Sequence, residues 1–156
     1  MNKLWAPWRK VYIKKKARRG CFICRVKRSS NDSRHFVLKR SRFSFAVLNL
    51  FPYNNGHVLI VPNRHVKNLD LLSDAELLDL LRLTNEVIRQ IQKAMKPQGM
   101  NLGINLGRAA GAGVPGHVHL HAVPRWDGDT NFMPVIGNTK VVSESLQSVY
   151  ACLRLK

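Results

Sequence analysis

At 156 residues the chain most simply makes one domain, long enough to bury about 70% of its unfolded surface. Its 45% hydrophobic and 22% charged residues are an ordinary globular composition. No apolar run approaches the ~18–20 residues of a membrane span, and no apolar segment follows the basic N-terminus as a signal peptide requires; the expected location is cytoplasmic. Against 26 Lys and Arg stand only 9 acids, for a net charge of +17, and residues 1–42 hold 15 of those cations with Asp32 as their one acid. That balance predicts polyanionic company: a nucleotide drawn in by the field or, less selectively, RNA, DNA or an anionic membrane surface.

Residues 1–20 read as a basic segment in which Trp5, Trp8 and Tyr12 stand among the charges, a pattern that predicts docking on the body or on a partner. Nucleic acid is the candidate partner, although the Lys14–Arg19 run taken alone reads equally well as solvated charge. Residues 21–156 are expected to form a single domain. It opens on Cys21-Phe22-Ile23-Cys24, whose thiols at this spacing suit a reducing compartment and half of a tetrahedral metal site. A redox pair, or two unligated buried cysteines, are the alternatives. Residues 29–34 are a loop by composition. Phe36–Lys39 and Phe43–Leu48 read as strands, and Pro52–Gly56 turns the chain into a third, His57–Val61, so three antiparallel strands in succession are predicted.

Ser73-Asp74-Ala75-Glu76 is a capping box, and it opens a helix. Its predicted apolar stripe is Leu77, Leu80, Leu81, Thr84, Val87, Ile88, Ile91, Ala94 and Met95, stopped by Pro97. Asn101–Leu106 and His117–Val123 read as two further strands joined by a glycine-rich loop, and a last helix is predicted from about Ser143 to Leu155. Five strands with segregated helices indicate an α+β domain. His35 and Cys152 have no predicted partners.

The chemistry concentrates in His117-Val118-His119-Leu120-His121, which holds three of the six histidines. On a strand this period puts the three imidazoles on one face and Val118, Leu120 and Ala122 on the other, whereas a helix would scatter them. A neutral imidazole attacks phosphorus well near pH 7, which makes the middle one, His119, the candidate nucleophile. One of its ring nitrogens must then hold the lone pair while the other donates its proton to a carbonyl or carboxylate. The glycines of Gly111–Gly116 can offer unhindered backbone N–H groups to a phosphate, or simply connect two strands. On local grounds Asn49 closes a strand and His57 follows Gly56 in the next.

Taken together, Asn105, Gly111-Ala112-Gly113-Val114-Pro115-Gly116 and His-Val-His-Leu-His-Ala-Val-Pro-Arg resemble the histidine-triad (HIT) family of nucleotide hydrolases and transferases. Phe45–Asn49, Gly56–Pro62 and His65 extend the resemblance to roughly residues 20–135. It implies a five-stranded antiparallel sheet with one long helix packed on it and a short C-terminal helix, usually as a homodimer. It also implies cleavage of dinucleoside polyphosphates or related phosphate-linked nucleotides through a nucleotidyl intermediate on His119. His121 and His57 would be further catalytic residues, and Asn49, Asn105, Gly111, Gly113 and Val114 would bind the nucleotide. Zinc-bearing members ligate a structural ion through residues that match Cys21, Cys24, His65 and His117. In one respect the chain departs from the family: Gly113 and Val114 stand where Gln and then Ser or Thr are common, so a side-chain hydroxyl to the phosphate is lost, and backbone amides, His121 and Asn105 are the candidate replacements. Leu4–Arg9 and Pro124–Met133 look more particularly like the bacterial diadenosine tetraphosphate phosphorylase branch, in which orthophosphate is the acceptor. Such an acceptor needs a second anion pocket, for which Arg125, Lys140, Thr130 and Asn131 are candidates. A zinc-stabilised nucleic-acid-binding protein without catalysis is the alternative from another class.

Overall fold

The computed structural model describes residues 20–137 and 141–154. Trp5, Trp8, Tyr12, the Lys14–Arg19 run, Lys140 and Leu155 lie outside them. In chain order the elements are α1 (Phe22–Arg28), the single turn α2 (Asp32–His35), β1 (Val37–Arg40), β2 (Ser44–Leu48), β3 (Val58–Pro62), a 3-10 turn at Leu69–Leu71, α3 (Asp74–Met95), β4 (Gly99–Ile104), β5 (Leu120–Arg125), the short α4 (Met133–Ile136) and α5 (Leu146–Leu153). The strands form one antiparallel sheet ordered β1-β2-β3-β5-β4. The first three strands make the expected meander; the chain then crosses by way of α3 to the far edge and returns with β5 between β3 and β4. This is the α+β, HIT-like architecture the resemblance implies. Among the described residues no helix is long and apolar enough to cross a membrane.

The alternation of side chains along the strands gives the sheet two different faces. On one, Leu38, Ala46, Leu48, Val58, Ile60, Leu120 and Ala122 pack against α3 and α5. The capping box of α3 forms as predicted: Ser73 Oγ accepts the Glu76 N–H and the Glu76 carboxylate accepts the Ser73 N–H. The helix ends at Met95, with Lys96 left-handed just before Pro97. The stripe is shifted from the prediction. Leu83 is buried and Leu81 is 54% exposed, and Ala94 also faces outward. Leu80, Leu83, Thr84, Val87 and Ile91 fall three or four residues apart, with Leu83 and Thr84 side by side, on the one stripe that a straight helix can lay on a sheet, and Leu81 lies ~100° away from Leu80.

The other face carries Val37, Phe45, Val47, Leu59 and Val61, covered by Ile23 and Val26 of α1. Neither α1 nor α2 is among the predicted elements. Ile23 and Val26 are too short an apolar stripe to stand out among Arg25, Lys27 and Arg28, and Ser29–Arg34, read as a loop, contains a helical turn capped by Asn31 Oδ1 on the Arg34 N–H. The β5 ladder begins at Leu120, three residues later than predicted. His117 N–H instead donates to the Val114 carbonyl and Val118 N–H to the Val66 carbonyl. The extended segment ahead of β5 is therefore tied to the chain leaving β3.

Candidate active site

The face of the sheet not covered by α3 brings two side-chain clusters to the β3–β5 seam. The first collects Cys21 and Cys24 from the start of α1, His65 from beyond β3 and His117 from ahead of β5. His117 is fully buried, and its Nε2–H donates to the Pro62 carbonyl at 2.9 Å. That bond leaves the Nδ1 lone pair facing the other three residues. His117 Nδ1 lies 3.5 Å from Cys21 Sγ, 3.6 Å from Cys24 Sγ and 3.2 Å from His65 Nδ1, and Cys24 Sγ lies 3.3 Å from His65 Nδ1. A tetrahedron with ordinary zinc–sulfur and zinc–nitrogen bonds has edges of about 3.3–3.8 Å; these four separations are close to it, and all the ligand atoms lie within 4.8 Å of one another. Burial, and then the neighbouring Cys21, push the Cys24 thiol up, while burial pulls His117 down and keeps it neutral. These residues fit a zinc ion, with neutral imidazoles as ligands and thiols that release protons when it binds.

The second cluster follows immediately along the chain. His119 donates Nδ1–H to the His117 carbonyl at 2.8 Å, so its Nε2 holds the lone pair. His121 sits beside it, ring centroids 4.9 Å apart, and opposite Leu59 of β3 in register. His57, one residue ahead of β3, brings Nε2 within 2.9 Å of His121 Nδ1. The tautomers of this pair follow from what surrounds them. His57 Nδ1 accepts the Tyr53 backbone N–H at 3.0 Å and the Asn49 amide at 3.3 Å, and Asn49 is oriented by the Phe51 N–H on its Oδ1. An atom that accepts a backbone N–H carries no proton, so the His57 proton is on Nε2 and is donated to His121 Nδ1. The His121 proton must then be on Nε2, a buried atom with no protein partner. A lone pair on His119 Nε2 is thus carried by the ring beside one whose Nε2 bears an N–H, an arrangement in which the first can attack phosphorus and the second can donate to a phosphate oxygen.

The candidate residues do not all converge. Asn49, His57, His119 and His121 meet as described, whereas Cys21, Cys24, His65 and His117 gather at the metal cluster. Gly111 is left-handed, with Asn105 Nδ2 3.8 Å from where a Cβ would stand, and a Cβ at Gly113 would meet nothing within 4 Å. Val114 turns its side chain against the α1 cluster and offers only its backbone. Arg125 is not a free cation for a second anion. Its guanidinium is held by Asp129 at 2.7 and 2.8 Å and by Asn101 Oδ1 at 2.9 Å. The Asn131 carboxamide caps the Met133 N–H, and Thr130 is exposed. Tyr53 was not among the predicted site residues; its ring stacks on His121 at 5.6 Å. Nothing in a Pro-Tyr-Asn-Asn-Gly turn distinguishes it from an ordinary connector.

The sequence matches the HIT domain over residues 30–128, and the chain belongs to that family, the histidine-triad nucleotide hydrolases and transferases. An AP-4-A phosphorylase of Mycobacterium tuberculosis is 37% identical over 163 residues, covering 94% of this chain and 80% of the relative. An asymmetrical bis(5'-nucleosyl)-tetraphosphatase of Schizosaccharomyces pombe is 41% identical over 93 residues, or 60% of this chain and 50% of the relative. Among solved structures, a zinc-bound histidine triad family protein from Mycobacterium smegmatis superposes with a TM-score of 0.70 over 86% of this chain and 91% of that one, at 24% identity, a likeness of fold.

Burial, and then the neighbouring imidazoles, hold His57 down to about 3 and His121 down to about 4, against an ordinary 6.5. Between those values and 6.5 the unfolded chain binds more protons than the folded one, so each histidine makes stability fall as pH drops. The expected slope approaches about 1.4 kcal/mol per pH unit for each group. Urea unfolding from pH 7.5 to 4.5 should show stability level above about 7 and falling below about 6.5. His57→Gln should flatten that fall, and an unchanged slope would contradict the buried neutral assignment.

Proposed function

We propose that the protein cleaves phosphoanhydride bonds of dinucleoside polyphosphates through a nucleotidyl intermediate on His119. The observation that carries this reading is the lone pair of His119 Nε2 beside the N–H of His121. The lone pair attacks the α-phosphorus; the N–P bond forms as the P–O bond to the leaving polyphosphate breaks, and the electron pair departs on that oxygen. Positive charge that develops on the His119 ring is met by the His117 carbonyl at Nδ1–H. His121 supplies a hydrogen bond rather than a proton: the relay behind it ends on the Tyr53 amide, which cannot give its proton up. A leaving group must therefore depart as an anion, which suits a nucleoside polyphosphate better than an amine. Asn49, Asn105 and the backbone of Gly111, Gly113 and Val114 hold the nucleotide in this reading, and His57 sets the state of His121.

The acceptor then attacks the phosphorus from the side the leaving group has vacated, and the N–P electron pair returns to Nε2. Similarity to the mycobacterial phosphorylase along 94% of the chain favours orthophosphate over water. With diadenosine tetraphosphate, added phosphate should give ADP plus ATP at a phosphate-dependent rate; AMP plus ATP at a phosphate-independent rate would make the enzyme a hydrolase. His119→Ala should lower turnover by at least about 1000-fold with the fold intact. Near-native turnover by that variant would overturn the mechanism.

A structural zinc on Cys21, Cys24, His65 and His117 belongs to the same reading. Such an ion would hold the start of α1 and the segment carrying the nucleophile together. Elemental analysis should find one zinc per chain, and Cys24→Ser should lose both the metal and about 3 kcal/mol of stability. Metal-free protein with unchanged stability in that variant would remove the zinc from the reading.

Two partners complete it, in a cytoplasmic setting. The homodimer is supported by the place of β4 at one end of the sheet: among the described residues no strand pairs with its outer edge, and Leu102 on it is 51% exposed. Nucleic-acid association is supported by the charge of residues 1–42. Light scattering of the full chain should give two copies, and deleting residues 1–19 should weaken RNA retention and reduce its salt slope. A monomer, or salt-independent retention, would sink the corresponding part.

A further inference from the structure

The turn that presents the Tyr53 amide to His57 is held from a distance. Asn54, 8% exposed, donates Nδ2 to the Pro124 carbonyl at 3.1 Å and to Asp129 Oδ2 at 2.7 Å. The Asp129 side chain is 7% exposed and binds the Arg125 guanidinium through both oxygens, and its Oδ2 also accepts the Trp126 N–H at 3.1 Å. Arg125 in turn reaches Asn101 across the β4–β5 pair. Behind Asn54 the His57 N–H donates to the Asn54 carbonyl at 3.2 Å. Gly56, at φ +73°, lies so close to α3 and β5 that a Cβ there would meet Met95 Sδ at 2.7 Å and Pro124 Cγ at 3.0 Å. A buried carboxylate with this many donors is costly to assemble and leaves the turn one seat.

We propose that Asn54 and Asp129 are positioning residues for the histidine pair: through the turn they hold the Tyr53 amide on His57 Nδ1 and so keep the His121 proton on the nitrogen that faces the reacting phosphate. The argument rests on the order of protons along the chain. If the Tyr53 N–H moves away, only the longer contact from the Asn49 amide at 3.3 Å still opposes a proton on His57 Nδ1; with the proton there, His57 Nε2 becomes an acceptor, His121 must then donate from Nδ1, and its Nε2 turns a lone pair toward the phosphate oxygens. A displaced amide thus converts a donor in the site into a repulsive acceptor without any change in the residues that touch substrate. The role of that donor rests on the reading given under Proposed function, whereas the tautomers themselves can be read in the unliganded protein.

The experiment compares the full chain with Asp129→Asn and Asn54→Ala, each labelled with 15N-histidine. Long-range proton–nitrogen correlations on unliganded protein should show His57 and His121 both protonated at Nε2 in the parent chain and mixed tautomers in both variants. Turnover of diadenosine tetraphosphate should fall about 10- to 100-fold in kcat with KM within about threefold, since the ground-state contacts to the nucleotide are untouched. Thermal unfolding confirms that the variants compared are folded. Folded variants with parental tautomers and parental kcat would overturn the proposal, and so would tautomers other than the Nε2–H pair in the parent chain. If the parent shows these tautomers and the variants scramble them, but no dinucleotide is turned over, positioning stands and the catalytic reading fails. Asn54→Ala keeps the Arg125–Asp129 pair, so it decides the matter if Asp129→Asn does not fold; failure of both to fold would assign the network to the fold instead, which also overturns the proposal.

Discussion

The buried hydrogen bond from His117 Nε2–H to the Pro62 carbonyl is the contact on which both clusters depend. It joins the end of β3 to the segment ahead of β5 where no ladder bond does so, and it selects the tautomer that turns Nδ1 toward Cys21, Cys24 and His65. The same residue's carbonyl then orients His119. His117 therefore joins the cysteine–histidine cluster through its ring and orients His119 through its backbone. Two residues further on, His121 points back to the seam because alternation along an extended chain leaves it no other face.

The second constraint is electrostatic. This is a chain of net charge +17 that gathers imidazoles on one face of its sheet, and protonation would take the lone pair from any of them that is to attack phosphorus or bind a metal. Burial keeps His57, His117 and His121 neutral, and neighbouring imidazoles, His119 in each case, add to it. Because they are neutral, each carries a single proton: the Pro62 carbonyl places that of His117, the Tyr53 amide that of His57, and the His57 ring in turn that of His121. The site is organised by main-chain atoms, which explains why its precision depends on how firmly two turns and a strand end are seated.

The two faces of the sheet divide the work. The α3 side is an apolar core of aliphatic residues with Thr84 bonded to its own helix, and it holds the strands in register. The opposite face gives up part of its apolar area to histidines and cysteines, with α1 covering one end of it. Arg125 belongs to this second economy: Asp129 and Asn101 engage it in the loop that steadies the Asn54 turn, and that use withdraws it from the anion pocket for which its sequence position makes it a candidate.

What the sequence determined by itself are the features written in local periodicity and spacing: the meander of β1 to β3, the capping box and Pro97 that bound α3, and the His-x-His-x-His alternation that names His119. The Cys-x-x-Cys pair is equally legible as half a candidate metal site, whereas its completion by His65 and His117 was legible only through the family resemblance, since residues 41 and 93 positions away had to be brought within 3.6 Å. Tertiary structure decided the rest. Leu83 rather than Leu81 lines the core because the sheet selects one stripe from a helix with leucines on several faces. The Tyr53 amide, Asn54 and Asp129 acquire their roles only when a turn at residues 52–56 meets a loop some 70 residues later. The positions of protons on four imidazoles are decided there too, since a tautomer is a property of the neighbours a ring has in space and leaves no mark on the order of residues along the chain.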